Sequence, residues 1–173
     1  MSNVKVTNNF KVYVAPVNQP TAGNWIEVTN VEQMTREIEK ILLSISESNE
    51  FLIQDYLGFR GVEDVLGEYP NLKTIIAAVE FISEHGTLAA KLINRCRDVQ
   101  TAIEKFENDY IGCYSTLGEF AEETNSDKDV PDWLAEFIDW ESMGDAMEIN
   151  GEIFTIETEY NKANGEINIF WNN

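Results

Sequence analysis

Apolar positions along this chain recur with two different periods, and the switches between them outline its elements. Phe10, Val12 and Val14 alternate with Lys11 and Tyr13, the period-two pattern of a half-buried strand. Residues 16–24 hold two prolines, a glycine and two asparagines and predict a loop, after which residues 25–28 read as a second short strand. Thr29 followed by Glu32 has the form of a capping box. Val31, Met34, Ile38, Ile41, Leu42 and Ile45 then recur at helical spacing, with an end predicted near residues 46–49. Residues 51–56, Phe-Leu-Ile-Gln-Asp-Tyr, predict a third strand apolar enough to be central. Strand, strand, helix, strand implies a small antiparallel sheet with one helix on its face.

The pattern turns helical after Tyr69 and Pro70. Leu72, Ile75, Ile76, Val79 and Ile82 form one stripe, and His85-Gly86 ends it as a glycine C-cap does. Thr87 opens a shorter helix with Leu88, Leu92 and Ile93, and Asp98 caps another with Val99, Ala102, Ile103 and Phe106 inward. Further on, residues 110–114 read as extended, and Thr116 with Glu119 makes a second capping box before Leu117, Phe120 and Ala121. Residues 125–132 are a polar break containing Pro131. Trp133, Leu134, Phe137, Ile138 and Glu141 follow at the spacing of a single helix. The remainder reads as a hairpin, residues 153–159 and 167–171 around a turn at 161–165. The fold class expected is α+β, an elongated chain of three small units. These are a small sheet plus helix at 1–68, a helical unit at 69–107, and acidic helices with a C-terminal hairpin at 108–173.

Composition permits real cores, with 43% hydrophobic residues that include nine Phe, six Tyr and four Trp. No run approaches the roughly 18 apolar residues of a membrane span. Residues 1–11 are polar and lack the apolar core of a signal peptide. Cys96 and Cys113 form no CxxC pair, so a reduced, cytoplasmic setting is expected.

Charge changes the picture most. The chain has 31 acids against 12 bases, a net charge of −19. Residues 1–99 hold 13 acids and nine bases, whereas residues 100–173 hold 18 acids and only Lys105, Lys128 and Lys162. An acidic surface commonly serves solubility alone. A field this concentrated also repels nucleic acid and anionic membranes, which disfavours direct nucleic-acid binding, and it attracts a protein with a basic groove.

Catalytic and metal chemistry find little purchase. His85 is the one histidine and sits beside Gly86 at a helix end, where capping or surface exposure explains it better than a nucleophilic triad. Asn125, Asp127, Asp129 and Glu136 match positions 1, 3, 5 and 12 of a calcium loop. Val130 stands where that loop requires glycine, and Pro131 follows, so the match reads as chance. One His and two separated Cys make a poor zinc set. Gly58 and Gly61 are isolated and lack the Lys-Ser/Thr of a phosphate loop. With 31 acids, carboxylate pairs suited to glycoside hydrolysis arise by number alone. No cofactor and no enzymatic activity are expected.

The acids carry a more specific message in their spacing. Glu119, Glu122 and Glu123 point away from Leu117, Phe120 and Ala121, and Asp132, Glu136 and Asp139 line the outer side of the next predicted helix. Helix neighbours three or four apart lie about 5–6 Å from each other at Cβ, comparable with successive phosphates along a DNA strand. Like charges so spaced destabilise a helix slightly, and a purely structural helix would dilute them with lysine. Each acid taken singly can be an ordinary solvated side chain; together they suggest a phosphate mimic.

The chain also resembles the ArdA antirestriction proteins. Tyr13-Val14, Trp25-Ile26 and residues 51–56 match the family's opening. The match is stronger through Phe106, Tyr110-Ile111-Gly112, Tyr114 and the run Glu119-Phe120-Ala121-Glu122-Glu123-Thr124. It continues in Val130-Pro131, Leu134, Phe137-Ile138-Asp139-Trp140-Glu141, Gly144-Asp145, residues 147–151 and Phe154. Trp140 stands where members often have Tyr. The resemblance implies a mobile-element protein that works without catalysis in the bacterial cytoplasm. Such a protein pairs into a homodimer, imitates bent duplex DNA and fills the DNA groove of a Type I restriction-modification enzyme; a mimic aimed at another DNA-targeting protein, such as a CRISPR nuclease, is the rival. The expected phosphate mimics are Glu119, Glu122, Glu123, Asp127, Asp129, Asp132, Glu136, Asp139, Glu141, Asp145 and Glu148. The family's antirestriction motif, tied to its dimer contact, falls at residues 125–139, with Val130, Pro131, Trp133, Phe137 and Trp140 as contact candidates.

Overall fold

The computed structural model describes residues 10–45, 50–125 and 131–173. The chain folds as two compact units, Met1–Ile103 and Glu104–Asn173. In the first, β1 (Lys11–Pro16), β2 (Asn24–Glu27) and β3 (Phe51–Leu57) form an antiparallel sheet in the order β2-β1-β3. Helix α1 (Val31–Ile45) buries Met34, Ile38, Ile41 and Leu42. The central strand is thus β1, with Val12 paired to both Ile26 and Tyr56, and β3 is an edge, contrary to the expectation from its apolar run. The run has another cause. Tyr13 pairs with Asp55 and Val14 with Ile53, so Gln54 is an extra residue on β3, and Leu52 and Ile53 are buried in succession. The Ile53 N–H is taken by the Glu68 carbonyl at 2.8 Å, which covers part of the open edge.

Local capping differs in one place from the sequence pattern. Asn30, not Thr29, accepts from the third helical N–H of α1, that of Gln33, at 3.0 Å, and Glu32 pairs with Arg36 instead of turning back. The helix begins one residue later than the capping box implied. After α2 (Glu63–Leu66), Asn71 caps α3 (Leu72–Cys96) by accepting from the Lys73 N–H at 2.9 Å. Gly86, at φ 60° and ψ −132°, interrupts α3 where the sequence pattern placed a helix end. Asp98 caps α4 (Val99–Asp109) by accepting from the Thr101 N–H at 2.7 Å, and that bond holds its carboxyl below the ordinary aspartate range. Phe59, Val62, Ile75, Ala78, Ile82, Ala89, Leu92 and Ile93 are fully or almost fully buried in this unit.

The second unit contains β4 (Tyr110–Tyr114), α5 (Leu117–Asn125), α6 (Asp132–Ala135), α7 (Trp140–Ile149), β5 (Ile153–Ile156), α8 (Glu159–Asn164) and β6 (Ile167–Trp171). Its antiparallel sheet runs β4-β6-β5. The predicted hairpin pairing is present, with Phe154 opposite Phe170 and their rings stacked at 5.0 Å. Its connection is longer than a tight turn, because Thr158 caps the short helix α8 and Gly165, at φ 67°, ends it. A buried amide network holds that connection: Asn168 donates to Asn161 at 2.6 Å, and the Tyr110 hydroxyl donates to Asn168 at 3.0 Å. Leu117, Phe120, Ile153 and Ile169 form the apolar centre, with Met147 and Trp171 packed against it.

Helices α5 and α7 meet through glycines. A Cβ on Gly144 would overlap the Leu117 carbonyl, and one on Gly118 would press on the Glu141 main chain at 3.1 Å. At Gly144 only hydrogen fits without a shift of backbone, and at Gly118 the approach is tight, so the two backbones come together. Gly144→Ala is therefore expected to destabilise the protein by about 1–3 kcal/mol through overpacking, read as a lower urea midpoint in equilibrium unfolding.

Candidate functional site

The second unit carries the charge imbalance. Residues 104–173 contain all 18 acids and all three bases of the acidic part of the chain. Lys105 is tied inside the unit, 2.9 Å from Asp109, 3.4 Å from the main-chain oxygen of Asn173, and 5.6 Å over the Phe154 ring. Lys162 lies 3.8 Å from Glu159. Among the described residues, neither α5 nor α7 carries a lysine or arginine.

On α5 the burial of Leu117, Phe120 and Ala121 leaves Glu119, Glu122 and Glu123 exposed. Glu119 also closes the helix start. Its carboxylate accepts from the Ser115 N–H at 2.8 Å while the Thr116 hydroxyl accepts from the Glu119 N–H at 3.1 Å, a reciprocal arrangement like a capping box. Tyr114 has its phenol pushed up, first by partial burial and then by Glu123, whose carboxylate it meets.

The single helix expected over Trp133 to Glu141 is two. Helix α6 ends at Ala135, and α7 starts afresh at Trp140 because Asp139 caps it. The Asp139 carboxylate accepts from the Ser142 N–H at 3.0 Å and from the Ser142 hydroxyl at 2.7 Å. Those bonds hold its carboxyl below the ordinary aspartate range. A residue whose side chain bonds the N–H groups ahead of it starts a helix rather than continuing one. The break changes the face arithmetic. Trp133 and Phe137, read as apolar-face residues of one helix, are 70% and 77% exposed, whereas Ile138 and Trp140 are half-buried. Pro131 is exposed.

The acids of α7 have different duties. Glu141 is exposed, yet its carboxylate accepts from the Gly118 N–H at 3.1 Å and ties α7 to the first turn of α5. Glu148 is half-buried and accepts from the Thr155 hydroxyl at 2.6 Å, so it is directed at β5. Asp145 and Glu136 are exposed. Asp127, Asp129 and Val130, together with the side chain of Asp132, lie outside the described residues. The calcium-loop pattern falls largely on them as well, and Asn125 is buried with its amide donating to the Ala121 carbonyl at 2.7 Å. The helical-spacing argument passed over Glu104 and Glu107 on α4 and Glu152 after α7, all exposed in this unit. Only their net excess over bases signals them.

The site is thus a set of carboxylates, on two glycine-coupled helices that carry no cation among the described residues. A family model described as antirestriction protein (ArdA) matches residues 17–162 of the 173. This chain belongs to the ArdA family. Antirestriction is accordingly the function its membership implies. No individual curated protein matches it. Among the described residues of this ArdA protein, no helix is long and apolar enough to cross a membrane.

The Asp139 cap makes a pH-dependent prediction. A carboxyl whose folded-state pKa is depressed contributes stability above its unfolded pKa of about 3.9, and that contribution is lost as pH falls through the folded value. Asp139→Ala should lower the melting temperature at pH 7, and the deficit should shrink once pH drops below the ordinary aspartate range. A deficit that persists unchanged into strong acid would mean that the cap acts through packing rather than charge.

Proposed function

We propose that this ArdA protein works as a decoy, its acidic unit occupying the DNA-binding groove of a Type I restriction-modification enzyme and so protecting incoming mobile-element DNA. The observation that carries the reading is the row of exposed carboxylates on α5 and α7 with no described cation among them. Carboxylates at helical spacing take the place of phosphates against the Lys and Arg of the groove, and inhibition follows by mass action without covalent change. Glu119, Glu122, Glu123, Glu136, Asp139, Glu141 and Asp145 are the exposed members of the proposed set. Glu148 contributes less, being committed to Thr155. The setting proposed is the cytoplasm of a bacterial host.

The test is competition with duplex DNA for a purified Type I enzyme. The protein should displace DNA at low salt and do so less well as salt rises. Glu122→Gln, Glu136→Gln and Asp145→Asn remove three exposed charges that serve as no cap. Together they should weaken displacement about tenfold, at roughly 0.5 kcal/mol per charge, and flatten its salt dependence. The same change at Glu39, Asp64 and Glu80, exposed acids of the first unit, should have little effect. Equal loss from both sets would argue against a localised face. Displacement absent across several Type I enzymes would mean a different target.

Trp133 and Phe137 support a second part of this reading, a homodimer contact. Two large exposed apolar side chains four residues apart, beside the exposed Pro131, have the character of an interface core. Trp133→Ala with Phe137→Ala should shift the protein to monomer in sedimentation at micromolar concentration while its circular dichroism stays unchanged. A double variant that sediments as wild type would place the contact elsewhere.

A further inference from the structure

A groove of about 450 Å³ lies within the second unit between the end of α5, one side of α7 and β6. Its apolar lining is Met143, Ala146 and Met147 of α7 together with Trp171 of β6, whose indole is braced edge-on by Phe120 at 5.8 Å. Its polar lining is Thr124, Asn125, Asn150 and Glu152, of which Asn125 is buried and the others are exposed. The volume falls in the range of sites that take a compact ligand or one or two side chains. Methionine walls adapt to different apolar shapes, which suits them to irregular partners.

Among the described residues, three features give the groove a negative character. Thr124 and Asn125 at the end of helix α5 and Asn150 at the end of helix α7 line it, so the partially negative C-terminal ends of two helices lie beside it. Neither has a basic residue in its last turn. Glu152, exposed in the lining, adds a full negative charge. Apolar side chains beside a negative carboxylate are complementary to a long aliphatic stem ending in a cation, as in lysine and arginine, flanked by apolar residues.

We infer that this groove is a docking site for a basic, apolar-flanked peptide segment of a partner protein. It is an anchor that reads shape and apolar contact, separate from the exposed carboxylates that read charge alone. The inference deepens the decoy reading, since such segments belong to a basic target surface, but it is tested independently of any restriction enzyme. Because an apolar contact is little screened by ions, the groove would hold a partner at salt concentrations that weaken the carboxylate row.

The chain has four methionines, and two of them line this groove. Methyl-labelled methionine in the full chain therefore reports on it directly. The probe is the end-capped tripeptide Leu-Arg-Leu, with Leu-Glu-Leu as control. Leu-Arg-Leu should shift the Met143 and Met147 methyl resonances saturably, with a dissociation constant on the order of 1 mM, and leave buried Met34 unmoved. Leu-Glu-Leu should shift neither. Ala146→Trp, at an exposed position that the indole would roof over, should abolish the shift, with an otherwise native methyl spectrum as the check on folding. Glu152→Gln should weaken binding about two- to fivefold. No saturable shift, equal shifts with the acidic peptide, or binding untouched by Ala146→Trp would each overturn the assignment. Methyl shifts that appear on concentrating the protein without peptide would make a second copy the occupant and overturn it too. Failure of the enzyme competition with the peptide shifts intact would sink the decoy reading and leave the groove standing.

Discussion

Holding like charges together on a small folded unit is the constraint on which the rest of this structure depends. Exposed carboxylates at helical spacing repel one another, and nothing on the described parts of α5 or α7 offsets them with a cation. The unit offsets the repulsion by giving several acids a backbone donor. Glu119 accepts from Ser115, Glu141 from Gly118 and Asp139 from Ser142, each at or beside a helix start where main-chain N–H groups lack helical partners. Negative charge is favourable there, so these acids strengthen the local fold while remaining at the surface. The cost of the remaining acids falls on the apolar centre of Leu117, Phe120, Ile153 and Ile169 and on the buried Asn161–Asn168 network.

The same arrangement links fold to function. Gly118 and Gly144 let α5 and α7 approach until the Glu141 carboxylate reaches the first turn of α5. In the proposed reading, carboxylates of the two coupled helices act as parts of one face. A decoy gains from this coupling, because charges already held in place lose little conformational entropy when they meet a groove. The two lysines of the unit that the structure describes fit the same logic. Lys105 is drawn inside onto Asp109 and the Phe154 ring, and Lys162 pairs with Glu159 on α8, so their charge is spent away from α5 and α7.

Local signals were read well where one residue type leaves few options. Gly86 ends a helical run because its φ of 60° suits glycine, Asp98 caps α4, and Thr116 with Glu119 opens α5. Errors arose where two local signals competed or where the answer lay in a distant segment. Thr29 and Asn30 both suit a cap, and Asn30 took the role. The run around Phe51 to Ile53 looked central, but strand order depends on which strands find partners, and β1 found two. Trp133 and Phe137 sit at perfect helical spacing with Ile138. That spacing lost its meaning when Asp139 restarted the helix, and the aromatics came out exposed.

The sequence by itself determined the α+β class, the concentration of charge in residues 100–173, the family membership and several helix caps. Each of these depends on composition or on residues a few positions apart. Tertiary structure alone decided which acids are capped and which stand exposed, which strand is central, and that Met143, Met147 and Trp171 share one groove. Several of those outcomes come from contacts between residues more than twenty positions apart, such as Glu141 with Gly118. No periodicity encodes such pairings, because they exist only once the apolar faces have been buried against each other.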